Sequence, residues 1–242
     1  LCTRWLSGAI VLLAIAAGVY GAFFPGVGTG YLFDDATSVV PLQHLREHPD
    51  QFWHYVFSDV SGPLGRPLSI ATFAAEQAFL KAEPDVSQLL SMGLHAFNGF
   101  LVFLLARLVF TCSGVARPAL MGFFAAMLWA LAPQKASSVL YIAQRMTLLA
   151  GTFTLLALVS YGLARVAAGA RARAGFTLLC IASLLAAPFA KENGLLALPL
   201  LAALELLILP DRPGPPGPRF VQYLKPAARG VLLLGALAFL AL

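Results

Sequence analysis

Apolar runs of similar length, separated by short polar turns, set the pattern of this chain. Uncharged runs cover residues 5–24, 86–106, 118–134, 146–164 and 174–190, and a further run over 193–210 is broken only by Glu205. Each approaches the ~17–25 residues that a helix needs to cross the hydrocarbon core of a bilayer. A last run, 230–242, is too short to span and stops at the chain end. The pattern predicts an all-α, polytopic membrane helix bundle of about six to seven spans. Between the first two runs lies a much longer polar stretch, residues 25–87, expected to form an outer loop carrying interfacial helices and to begin with a flexible Gly-rich exit at 25–30. A Pro/Gly-rich basic stretch, 211–229, is expected to be a stiff linker on the opposite side. The first run also has features of a signal peptide, with Arg4 as its basic flank. Its uncharged stretch continues to Phe33, well beyond the ~7–15 residues of a signal core, so an anchor is the expectation. The chain begins at Leu1 without a methionine and is read as part of something longer.

Composition agrees with this class. Of 242 residues, 60% are hydrophobic and 11% charged, against the roughly 25% charged residues of a soluble domain. Charge then orients the spans. With the N-terminus inside, the inner loops collect ten Lys and Arg against two acids, a net of +8, and the outer loops collect six against nine acids, a net of −3. Excess Lys and Arg on the cytoplasmic side is what orients helices during insertion. The net charge of +5 is therefore a topology signal and calls for no nucleic-acid partner. Cys2, Cys112 and Cys180 have no metal-ligand spacing and fall at or near the reducing side, so neither a disulfide framework nor a zinc site is implied.

Ionisable groups beside lipid are costly, which makes them functional candidates. Asp34 and Asp35 follow the first run directly. Asp35-Ala36-Thr37-Ser38 reads as a helix cap, which accounts for one aspartate and leaves the other. Phe52 to Phe57 is aromatic and suited to the membrane interface. Pro67 suits the first position of a helix running to about Leu80, with Ile70, Phe73 and Ala74 facing lipid and Ser69, Thr72 and Glu76 facing water. Gln88, Ser91, His95 and Asn98 share one helical face, where interhelical hydrogen bonding competes with a site role. Ser137, Tyr141 and Arg145 recur every fourth residue as a polar edge on one helix, and Tyr141 and Gln144 direct Arg145 toward protein or a wet cavity. Lys191 and Glu192 precede the sixth run, where a cation beside helix-start amides makes a phosphate seat. A plain surface turn is the competing reading there.

All these groups, Asp34, Asp35, Arg66, Gln144, Arg145, Lys191 and Glu192, fall on the outer side in this topology. No nucleotide-sugar pool exists there, so a sugar transferase would draw on a donor that the membrane supplies. A lipid-linked sugar phosphate fits: a carboxylate, Asp34 or Asp35, takes the acceptor hydroxyl's proton, and Arg66, Arg145 and Lys191 meet the charge on the leaving phosphate. The motifs Phe33-Asp34-Asp35, Ser61-Gly62-Pro63-Leu64-Gly65-Arg66-Pro67-Leu68-Ser69, Leu94-His95-Ala96-Phe97-Asn98-Gly99, Tyr141-Ile142-Ala143-Gln144-Arg145-Met146 and Lys191-Glu192-Asn193-Gly194 occur in that order. Together they resemble bacterial GT-C glycosyltransferases related to the transmembrane and tetratricopeptide-repeat O-mannosyltransferases, over about residues 5 to 210. The resemblance implies an acidic catalytic base after the first span, a polyprenyl-phosphate sugar donor, a protein or glycan acceptor in the periplasm, and a place in the bacterial inner membrane. It also implies further spans and tetratricopeptide repeats. The chain has Ala132-Pro133 where relatives often show His-Pro. Asp34 is the preferred base, with His95, Asn98, Tyr141, Gln144 and Glu192 in support; a divalent metal is not indicated. The other readings are a ligase or polymerase using a pyrophosphate-linked donor, and a non-catalytic scaffold or transporter subunit.

Overall fold

The computed structural model describes residues 2–58 and 62–209, and within them every regular element is helical. In chain order these are α1 (Cys2–Phe23), α2 (Asp35–Ser38), α3 (Phe52–Ser58), α4 (Pro67–Ala75), α5 (Pro84–Cys112), α6 (Pro118–Ala130), α7 (Ala136–Leu140), α8 (Arg145–Val166), α9 (Ala170–Ala190) and α10 (Ala197–Ala203). Four stretches are long and apolar enough to cross a membrane: Gly8–Gly26, Pro84–Cys112, Ile142–Val166 and Ala170–Ala190. The run expected at 118–134 forms only the 13-residue α6, roughly 20 Å long at 1.5 Å per residue. The run expected at 193–210 is a composite of 3-10 turn (Glu192–Leu196), α10 and π turn (Leu204–Ile208). The expected linker at 211–229 and the last apolar run lie outside the described residues.

Helices α1, α5 and α6 pack around Ile15, Val19, Met92, Ala96, Phe103, Ala126 and Ala130, all buried. Small residues let these helices approach, as is usual where lipid supplies no hydrophobic drive. A Cβ on Gly122 of α6 would stand 3.0 Å from the backbone nitrogen of Arg107 in α5. Helix α8 packs on α5 and α9, and α10 on α8. At one end of the bundle Arg165 pairs with Glu205 (2.8 Å), beside an apolar cluster of Leu158, Leu204 and Leu209.

The other end carries the segment from 27 to 83, which builds a core of its own. Val39, Leu42, Leu45, Val56, Ile70, Phe73 and Ala74 are buried there against Ile142 and Met146 at the start of α8. This corrects the lipid-lying amphipathic helix expected at 67–80. Pro67 does open the helix and the last turn is π (Glu76–Leu80), but Ile70, Phe73 and Ala74 face protein. Ser69 is also buried, donating to the Ala190 carbonyl (2.8 Å). An apolar face reads the same in sequence whether lipid or protein covers it. The exit after α1 is likewise pinned, not flexible: Gly28 N–H donates to Gln88 Oε1 (2.8 Å), and Gln88 Nε2 donates to Thr29 Oγ1 and the Leu140 carbonyl.

Candidate functional site

The motif segments, hundreds of ångströms of contour apart in places, meet at this end of the bundle. Asp35 is fully buried in the first turn of α2, and its carboxylate accepts from the backbone N–H of Leu32 (2.9 Å) and of Ala143 (2.7 Å). It ties the loop after α1 to the step before α8, so it is a bridge between loops and not the expected helix cap. Burial, with the neighbouring Asp34 charge, pushes its carboxyl above the ordinary aspartate value, against the backbone donors of Leu32, Ala143 and Ile142 that pull it down. The same contact explains why 137–145 is not one helix. Tyr141 is extended (φ −82°, ψ 114°), residues 142–144 form a 3-10 turn, and α8 starts at Arg145. The expected polar edge at every fourth residue is therefore broken at Tyr141. Its hydroxyl instead accepts from the Asp34 N–H (2.6 Å), while Phe33, at a positive φ of 42°, packs edge-on against the Tyr141 ring. Burial, followed in effect by the charges of Asp34 and Asp35, raises the Tyr141 phenol, which the Asp34 backbone donor lowers only in part. The Asp34 side chain is exposed.

Across from these lies a pair of cations. Arg66 caps α4 from the left-handed region (φ 48°) and forks onto Glu192, with Nε to Oε1 at 3.1 Å and Nη2 to Oε2 at 3.1 Å. Gly62 leaves room beside them: a Cβ there would meet the Glu192 carboxylate, which would have to shift. Burial pushes the Glu192 carboxyl upward, but the hydrogen bond and charge of Arg66 outweigh it and hold it below the ordinary value. Lys191 donates to Thr147 Oγ1 (2.8 Å), which donates on to Gln144 Oε1 (2.8 Å). Burial and then the Arg66 charge lower the Lys191 ammonium, while Glu192 and Asp34 pull it back up. Lys191 thus feels the charges of Arg66, Glu192 and Asp34 together.

Arg145 does not join them. It is 3% exposed, and every arm of its guanidinium is taken: Nε donates to Ser91 Oγ (3.0 Å), Nη2 to the Ser87 carbonyl (2.6 Å) and Nη1 to Glu76, with Phe73 under its plane. Magnitudes separate the cations. The Arg66 and Glu192 side chains keep 20% and 28% of their surface exposed, so solvent and a competing phosphate can reach that pair. Breaking a buried pair such as Arg145–Glu76 costs about 3–5 kcal/mol. Of the three cations expected to converge, Arg66 and Lys191 lie near each other and Arg145 does not join them.

His95 and Asn98 lie deeper, on the expected buried face of α5. Asn98 donates to the Leu148 carbonyl and accepts from Thr152. His95 Nε2 lies 2.9 Å from the Ala130 carbonyl, and the ring stacks on Trp129. Both border a cavity of about 270 Å³ that also touches Lys135, Thr147 and Asn193. Among the described residues no three His, Cys, Asp or Glu side chains are arranged to hold a metal ion. Thr147, Lys135 and Trp129 escaped the sequence reading; Thr147 follows the polar step at 144–145, but nothing local marks Trp129.

The class defined here is a helical membrane protein: among the described residues, a bundle with four helices long and apolar enough to cross a bilayer, carrying a mixed-charge cluster at one end. Comparison with known protein families, curated proteins and solved structures finds no match for the chain.

Proposed function

We propose that this chain carries the reaction centre of a GT-C-type membrane glycosyltransferase, which moves a sugar from a polyprenyl-phosphate donor to a periplasmic acceptor, most simply a protein. The observation that carries the reading is the gathering of an exposed carboxylate, Asp34, with two releasable cations, Arg66 and Lys191, at one end of a membrane-length bundle. In this reading the acceptor hydroxyl oxygen attacks the anomeric carbon as the bond from that carbon to the phosphate oxygen breaks. Asp34 takes the hydroxyl proton, and Arg66 and Lys191 meet the charge that leaves with the phosphate. Asp35 holds the Asp34 loop to the start of α8, and Tyr141 fixes the Asp34 backbone.

The test compares Asp34→Asn with Asp35→Asn for sugar transfer from a polyprenyl-phosphate donor in nanodiscs, scored beside donor affinity. Asp34→Asn should lower turnover by about 10²–10⁴-fold with donor binding kept. Asp35→Asn loses an acceptor for a buried N–H and should act mainly on stability, by about 1–3 kcal/mol. Wild-type turnover in Asp34→Asn would remove the base and favour a non-catalytic scaffold.

A further inference from the structure

His95 Nδ1 is the one buried side-chain nitrogen or oxygen without a hydrogen-bond partner among the described residues. The other ring nitrogen decides its chemistry. The Ala130 carbonyl can only accept, so Nε2 carries the proton and Nδ1 is left as a bare acceptor. The ring is held in place by Trp129, stacked at 5.0 Å, and by Phe23, edge-on at 6.0 Å. Buried polar groups are nearly always paired, and an orphan calls for a ligand or an ordered water.

The surrounding cavity says which ligand. It runs beside α8 from Thr147 to Thr154, roughly 10 Å at 1.5 Å per residue, so it descends from the charged end into the bundle. Its upper part touches Lys135, Ser138 and Asn193, and Thr147 there is the residue that receives the Lys191 ammonium. At about 270 Å³ it is just under the ~300 Å³ at which drug-sized sites begin, the scale of a single sugar ring. Much of its wall is apolar, with Trp129, Leu148, Leu155 and Leu196 offering faces on which a sugar ring can pack, while the unmet acceptor calls for a hydroxyl donor; a hydrocarbon chain would leave Nδ1 orphaned.

We propose that this cavity seats the glycosyl ring of the lipid-linked donor, and that one ring hydroxyl donates to His95 Nδ1, making His95 a specificity-determining residue. The assignment rests on the donor reading above. Trp129 sets the ring plane of the imidazole, and Lys135, 4.7 Å over the opposite partner of that stack, sits at the cavity's charged end.

The experiment measures binding of farnesyl phosphate, farnesyl-phosphoryl mannose and glucose, and the single-deoxy forms of the tighter of the two, to the full chain in nanodiscs. Wild-type protein should bind the glycosylated probe more tightly than farnesyl phosphate, and one deoxy form should lose roughly 5- to 150-fold, the effect of leaving a buried acceptor unmet. In His95→Leu that penalty should vanish. In His95→Asn, whose Oδ1 replaces the acceptor near Nδ1, part of it should return. A flat deoxy series in wild type, as an ordered water on Nδ1 would produce, overturns the assignment while leaving the donor reading intact. A penalty that persists in His95→Leu also overturns it. Failure of all the probes, farnesyl phosphate included, overturns the donor reading and this assignment with it.

Discussion

Two aspartates adjacent in sequence end in opposite environments. Asp34 is exposed, with its backbone N–H held by the Tyr141 hydroxyl, whereas Asp35 is sealed and accepts from the N–H groups of Leu32 and the distant Ala143. A base needs solvent or substrate at its carboxylate; a bridge needs none. At the same scale Lys191 is the tunable member of the cation pair. Burial and Arg66 lower its folded value below the 10.5 of a free lysine. Phosphate binding needs the charged form, so farnesyl phosphate affinity should begin to fall, as pH rises, below the usual lysine range. Lys191→Arg, always charged, should remove that alkaline fall. The sign for stability is the reverse: the unfolded chain holds this proton to higher pH, so Lys191 adds stability as pH rises through the window between the two values. An affinity profile identical in wild type and Lys191→Arg would take Lys191 out of the site.

At the scale of elements, the Arg145–Glu76 pair joins the start of α8 to the π turn after α4, with Ser87 and Ser91 of α5 completing the shell. The side chains are 4% and 10% exposed, so neither charge can be left alone. Arg145→Ala should destabilise the protein by about 3–5 kcal/mol, read as a fall in melting temperature or in folded yield. Replacing both partners, Arg145→Met with Glu76→Leu, should recover much of that loss. Should Arg145→Ala keep its stability and instead weaken farnesyl phosphate binding, the residue belongs with Arg66 and Lys191 after all.

At the scale of the whole molecule, the chain's turns sort to two ends. Hydrogen bonds and ion pairs bring residues 27–83, 131–145 and 190–194 together, and Arg165–Glu205 marks the other end. The charge split of +8 against −3 remains the expectation from sequence, part of it resting on residues 211–229, outside the described residues. Single cysteines in a background lacking Cys2, Cys112 and Cys180 should therefore take up an impermeant thiol reagent in intact spheroplasts at positions 34 and 135, and not at 171. Labelling at 171 with protection at 34 would turn the bundle over and put the charged cluster in the cytoplasm.

Helical class was legible in the sequence, and of the six long apolar runs expected to span, four are helices long and apolar enough to cross a bilayer among the described residues, because length and hydrophobicity are local properties of a run. So was the alignment of Gln88, Ser91, His95 and Asn98 on one helical face, since helical spacing alone sets it; that the face is buried came from packing. What only the tertiary structure decided is which charges are free. Arg66, Arg145 and Lys191 carry the same charge in the sequence, and their partners lie 126, 69 and 44 residues away. Depth of burial at those partners, set by how the 27–83 segment packs on α8, makes one guanidinium a structural pin and leaves the other cations near the surface. The break at Tyr141 has the same origin. No residue in 137–145 forbids a helix; the Ala143 N–H is taken by Asp35, 108 residues earlier in the chain.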